Sequence, residues 1–251
     1  MDPRISLLKE YYRGLPMDRA KLETHDYGFA YLERLLTDGI ALEYGELTLS
    51  GLLHKYKLVN IPAHRMDDLL LAHVEKRCNV CLYFDDRANR TFCFNLDNNH
   101  KENNTLIIPE MVLAVRLVRE TLERLGCVPL VVASGRGYHV WCRADHAIDN
   151  VRLYEFMKHV CVGAMAALHG EGHNHLNVKF NVYPDPRTRD TVSLRLFGTE
   201  HAKNKVFSRV LTPDGLLDEA SSWRSFEENL RGQSITEDGF GRAYAAVLGK
   251  G

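Results

Sequence analysis

The segment Val131-Val132-Ala133-Ser134-Gly135-Arg136-Gly137-Tyr138-His139-Val140-Trp141-Cys142 narrows the fold more than any other. Two β-type runs flank a tight, glycine-bearing turn, so the pattern predicts strand, turn, strand, with Ser134, Arg136 and His139 held close together. The runs on either side extend the pattern. Residues 80–84 and 91–96 read as two strands joined by a hairpin turn at Arg87-Ala88-Asn89-Arg90, with Asp85 and Asp86 as solvated turn acids. Pro109-Glu110 opens a helix that runs to Leu125, with Gly126 just past its end. A second helix spans 150–168, and 178–183, 193–197 and 206–211 read as further strands. Strands alternating with helices in this order predict a mixed β-sheet backed by helices, the α+β class.

The flanking regions read differently. In residues 1–76 apolar positions recur at helical spacing, at Leu7, Leu8, Tyr11 and Tyr12 and again at Ala30, Leu32, Leu35 and Leu36. The expected division is therefore a helix-rich N-terminal region over 1–76, a core over 77–212 and a helical tail over 213–251 packed on the core. Tyr11, Tyr12, Arg13 and His54-Lys55-Tyr56-Lys57 pair aromatic rings with positive charge, a combination that can hold single strands. An amphipathic helical cap explains them more simply and is the favoured reading.

Chemistry concentrates in 183–203. Asp185 and Asp190 precede an apolar run, and Arg195, His201 and Lys203 surround a Gly198-Thr199 turn. Hard divalent cations take carboxylate oxygens. Phosphates take the fork of arginine, the point charge of lysine and backbone N–H groups. One segment thus offers a metal-binding end and a phosphate-binding end. Upstream, Asn95 and Asp97 lie two apart in a β-type run and face the same side.

Taken in order, the acidic strand end, the Ser-Gly-Arg-Gly-x-His hairpin, a further acid and Leu-Arg-x-x-Gly-Thr-x-His-x-Lys resemble the catalytic core of the archaeo-eukaryotic primase superfamily, the primase-polymerases. The resemblance covers about residues 80 to 210. It puts the family's first motif, two acids two apart, on Asn95 and Asp97, and the chain departs from the family at Asn95. The second motif falls on Ser134 and His139 with Arg136 between them, the histidine contacting the phosphates of an incoming nucleotide. The third, a metal-binding acid, falls on Asp185, with Asp190 as the alternative. Arg195, His201 and Lys203 take the triphosphate-binding positions.

The activity so implied is DNA-directed primase or polymerase nucleotidyl transfer. Asp97, Asp185 and Asn95 are the catalytic ligands for Mg²⁺ or Mn²⁺, and Ser134, Arg136, His139, Arg195, His201 and Lys203 grip the nucleotide. The implied partners are nucleoside triphosphates, single-stranded or primer-template nucleic acid, and other replication or defence subunits. Replacing a carboxylate by Asn95 removes a negative charge that would help hold two cations. That is the feature that supports the main alternative to this leading reading, a catalytically weakened nucleotide- or nucleic-acid-binding module of a larger assembly. A metal-dependent nuclease using Asp97, Asp185 and His139 ranks behind both, since diester hydrolysis needs no triphosphate grip.

Composition excludes other classes. A net charge of −1 rules out a globally basic nucleic-acid binder, so strand binding must come from local patches. No apolar run reaches about 18 residues and no signal pattern begins the chain, so no membrane partner and a cytoplasmic location are expected. The six cysteines fit reduced thiols. Cys78-x-x-Cys81 lacks two further ligands, and Cys161, His169, His173 and His175 lack a zinc spacing, so zinc is not expected.

Overall fold

The pleat of β5 (Ala88–Asn98) sorts its side chains. Phe92, Phe94 and Leu96 enter a core, while Cys93, Asn95 and Asp97 face the other way. The structure, a computed structural model, describes residues 2–24, 41–47, 54–100, 107–188, 193–202 and 204–249. The chain divides into two compact units, one of Met1–Asp85 with Asp190–Ser208, the other of Asp86–Arg189 with Arg209–Gly251.

The second unit holds β5 in a six-stranded sheet of order β11-β10-β6-β7-β5-β8. Its members are β6 (Leu130–Ala133), β7 (Gly137–Asp149), β8 (Val178–Tyr183), β10 (Arg209–Thr212) and β11 (Gly215–Leu216). On one face Phe92, Phe94, Val140 and Val182 pack against α3 (Pro109–Arg124), α4 (Asn150–Gly170) and α6 (Glu237–Val247). Phe156 of α4 sits edge-on to both Phe92 and Phe240. The helices start where the sequence says they should. Pro109 occupies the first turn of α3, and Asp149 caps α4 by accepting from the backbone N–H groups of Val151 and Arg152. Helix α5 (Glu219–Arg231) supports β10.

The first unit is built on a five-stranded sheet, β2-β3-β1-β4-β9, from Ala41–Leu47, His54–Val59, Ala20–Thr24, Asn79–Tyr83 and Ser193–Arg195. Leu22, Leu58, Val80 and Leu82 are fully buried on the face covered by α1 (Pro3–Tyr11) and α2 (Ala63–Val74). The class is α+β, as expected, with strands in two sheets. The ladders between named strands are all antiparallel.

Two expectations need correction. Among its described residues the region 1–76 contains three strands as well as α1 and α2. Its described strands alternate polar and apolar residues, as in His54-Lys55-Tyr56-Lys57-Leu58-Val59, which is a period of two rather than of helical spacing. Ala30, Leu32, Leu35 and Leu36 lie outside the described residues. Strands β4 and β5 also do not form a hairpin; β4 pairs with β1 and β9, and β5 with β7 and β8. Among the described residues no helix is long and apolar enough to cross a membrane.

His73 ties the first unit together. The backbone N–H of Val80 donates to its Nδ1 at 2.9 Å, so the ring proton sits on Nε2 and is donated to the Phe197 carbonyl at 3.0 Å. One neutral imidazole thus joins α2, β4 and the returning segment that carries β9. Burial lowers its pKa from 6.5 to about 3, against the raising effect of the Phe197 hydrogen bond. In this range the unfolded chain binds a proton that the folded chain refuses, so this contribution to stability is complete above pH 6.5 and is lost as pH falls towards 3. His73→Asn is expected to destabilise the protein and to flatten its pH dependence between pH 6.5 and 4 by up to about 1.4 kcal/mol per pH unit in urea unfolding. An unchanged slope would show that His73 does not resist protonation.

Candidate nucleotide and cation site

Register assembles the site. Asn95 stands opposite His139 on β7 and opposite Asn181 on β8, and Asp97 stands opposite Gly137 and Lys179. Partners in an antiparallel ladder project to one side. The face turned away from the helices therefore carries a polar row, His139–Asn95–Asn181, beside Asp97. Asn95 is 9% and His139 7% exposed. The His139 ring meets Trp141 edge-on at 6.1 Å.

The turn between β6 and β7 lies at the Asp97 end of this row. The Ser134 N–H donates to the Gly137 carbonyl at 2.8 Å, and Gly135 takes φ +92°. Gly137 is required by proximity, since a Cβ there would lie 2.1 Å from the Leu96 carbonyl oxygen and 3.0 Å from Asp97 Oδ1. The absent side chain lets the turn, with buried Ser134 and half-buried Arg136, close against Asp97. His139 thus stands opposite Asn95, and the turn that carries Ser134 and Arg136 lies next to Asp97.

Asn95 and Asp97 form a small polar device. Asn95 Nδ2 donates to Asp97 Oδ2 at 2.9 Å, while Asn95 Oδ1 is buried without a hydrogen-bond partner. A buried carbonyl oxygen left unpaired costs about 1–3 kcal/mol, so its retention points to a ligand. With the Asp97 carboxylate it offers two oxygens suited to one hard cation, whose other positions water or phosphate oxygens would fill. Among the described residues there is no group of three or more His, Cys, Asp or Glu arranged to hold a metal ion. Cys78 and Cys161 are buried thiols with pKa pushed up to about 12 by burial.

Asp185 is not brought to Asp97. Tyr183 pairs with Cys93, four residues along β5 from Asp97, a separation of about 13 Å along the strand. Beyond the end of β8 the Asp185 carboxylate accepts from Arg187 Nε at 2.9 Å and Nη2 at 2.7 Å. The Arg187 guanidinium stacks 4.8 Å from the Tyr154 ring of α4, on the helix-covered side of the sheet. The Arg187 hydrogen bonds hold the Asp185 carboxyl below the usual range, against the opposing effect of burial. The resemblance puts this acid at the metal; in the structure its carboxylate is paired with Arg187. Asp190 and Lys203 lie outside the described residues.

Arg195 and His201 belong to the first unit. Arg195 is buried on β9, opposite Cys81. His201 is half-buried in a turn where its N–H donates to the Val206 carbonyl at 2.8 Å. In the same segment the Gly198 N–H donates to Ser208 Oγ at 3.0 Å. Tyr11 and Tyr12 are core residues, 1% and 0% exposed. Sequence reasoning missed Asn181. Its signal was the parity of Lys179, Asn181 and Tyr183 on β8, which becomes meaningful once β8 is known to flank β5.

No family model and no curated protein matches the chain. Among solved structures it is similar to the polymerase domain from Mycobacterium tuberculosis Ligase D in complex with DNA, at a TM-score of 0.49 and 12% identity, covering 99% of this chain and 88% of that one.

Asn95→Asp sets a second carboxylate where an amide now donates to Asp97. Without cations this is expected to cost about 1–3 kcal/mol through the lost hydrogen bond and like-charge repulsion. Mn²⁺ is expected to restore the loss and to raise the melting temperature more in the variant than in the parent. Equal Mn²⁺ shifts in thermal melts of the two proteins would remove Asn95 from the cation site.

Proposed function

We propose that this protein binds nucleotides and single-stranded or primer-template nucleic acid on a primase-polymerase type of core, with nucleotidyl transfer weak or absent. The observation that carries this reading is the donor set: Asp97 is the one carboxylate among the described residues of its own and the adjoining row, the amides Asn95 and Asn181 lie in the row beside it, and Gly137 and Lys179 stand opposite it. Two divalent cations about 4 Å apart repel by on the order of 15 kcal/mol at an effective dielectric near 20, and transfer sites offset this with several carboxylates. One carboxylate and two amides suit a single cation bound together with phosphate.

Within this reading Asp97 and Asn95 Oδ1 hold Mg²⁺ or Mn²⁺, which would neutralise phosphate charge. His139 donates to a phosphate oxygen, and Ser134 and Arg136 present a hydroxyl and a guanidinium from the turn. Primase or polymerase transfer is the second reading. It needs another acid near Asp97, and with Asp185 engaged by Arg187 the remaining candidate from the motif is Asp190. A nuclease using Asp97, Asp185 and His139 meets the same obstacle at Asp185.

Calorimetry with Mn²⁺ and a non-hydrolysable nucleoside triphosphate, run beside a primer-extension assay, separates the readings. The expected result is Mn²⁺-dependent binding weakened at least tenfold by Asp97→Asn, with extension at background. Template-dependent extension by the unmodified chain that disappears in Asp190→Asn would overturn the binding reading in favour of transfer.

A further inference from the structure

The first unit's sheet carries positive charge on the face turned away from α1 and α2. Register lines up Lys57 of β3, Lys21 of β1, Cys81 of β4 and Arg195 of β9 in one row, with Lys55 two residues before Lys57 on the same side. In the next row Lys55 stands between Glu23 and the register position of Glu46. Burial acts to raise the Glu23 carboxyl, yet the charges of Lys21, Arg195 and Lys55 outweigh it and lower its pKa, so these cations gather around one carboxylate. Lys21 Nζ lies 3.4 Å from Glu23 Oε1. Cys81, its pKa pushed up to about 12 mainly by burial, stays a neutral thiol and offsets nothing.

Such a row is costly. Lys57 and Lys21 face each other directly across the β3–β1 ladder, and like charges so placed destabilise a sheet. At the β9 end, Ser193 Oγ is buried without a hydrogen-bond partner. From Lys57 of β3 through Lys21 of β1 to Arg195 of β9, with the neutral Cys81 of β4 between the last two, the row spans three strand spacings, about 14 Å. The phosphates of one nucleotide, joined through shared oxygens, are too short to reach along that row. At about 3.4 Å of rise per phosphate, a strand lays several charges along it.

We infer that this sheet face binds the phosphodiester backbone of single-stranded nucleic acid, with Lys57 and Lys21 as a track, Lys55 at its margin and the buried Arg195 adding positive charge at its β9 end. The inference rests on the reading of the chain as a nucleic-acid binder and names the surface that does the binding. Recognition is by charge, so binding is insensitive to base sequence and steeply dependent on salt.

The test is titration of a fluorescently labelled oligothymidylate by anisotropy at several salt concentrations. Lys55→Gln/Lys57→Gln is expected to weaken binding and to reduce the slope of log K against log salt by about 1.4, at about 0.7 per single-strand phosphate contact. Arg116→Gln, an exposed charge on α3 of the other unit, is expected to leave the slope unchanged. A double variant that keeps its parent's melting temperature, affinity and slope overturns the inference. Weakened nucleoside triphosphate binding with intact oligothymidylate binding also overturns it, by assigning the lysines to a nucleotide's own phosphates. Asp97→Asn keeps the two readings distinct: it is expected to spare oligothymidylate binding, which needs no cation at Asp97. Oligothymidylate binding by the parent that ignores Lys55 and Lys57 overturns this inference alone, whereas no oligothymidylate binding by the parent overturns both.

Discussion

The two-residue pleat of β5 is the constraint on which the second unit depends. Phe92, Phe94 and Leu96 must reach the core made by α3, α4 and α6, and each is fully buried there. Once they do, Asn95 and Asp97 have one place to go, the opposite face. A slip of one residue would turn Asp97 into the helix-packed core and take Phe92 and Phe94 out of it, a change that costs far more than any single contact in the site. Hydrophobic burial on one side of the sheet thereby fixes polar geometry on the other. Gly137 adds the local condition, because β7 reaches Asp97 closely where it has no side chain.

Charge then decides what the face can do. Asn95 uses its amide N–H on Asp97 and leaves its carbonyl oxygen unpaired, which holds the pair together without a cation and, in the proposed reading, leaves an oxygen for one. An acid at the same position would reverse that balance, repelling Asp97 until cations arrive. Asp185 illustrates how local partners override spacing. Arg187 is two residues away, satisfies both carboxylate oxygens and leans on Tyr154, so a motif position that looks like a ligand serves instead to close the turn after β8.

Local signals made much of the fold legible. The β6–β7 hairpin, α3 behind Pro109 and α4 behind Asp149 each carry their own start or turn chemistry, and residues 178–183 form β8 as read. Strand pairing was not legible. The turn-like residues after Phe84 suggested a hairpin, but the partners of β4 come from 20–24 and 193–195, and no local feature encodes so distant a match. The same gap hid Asn181, whose place beside Asn95 follows from which strand flanks β5 and not from its own neighbours. In the first unit the alternation of Lys21-Leu22-Glu23 and Lys55-Tyr56-Lys57-Leu58 did announce strands, and helical spacing elsewhere in 1–76 masked it.

The central claim is that the face built around Asn95 and Asp97 holds one cation, not two. Crystals grown with Mn²⁺ and a non-hydrolysable nucleoside triphosphate, measured at the manganese absorption edge, count the ions directly. The account predicts a single anomalous peak within coordination distance of Asn95 Oδ1 and the Asp97 carboxylate, with Asp185 still paired to Arg187. Two peaks about 4 Å apart, bridged by Asp97 and a second carboxylate, would contradict it.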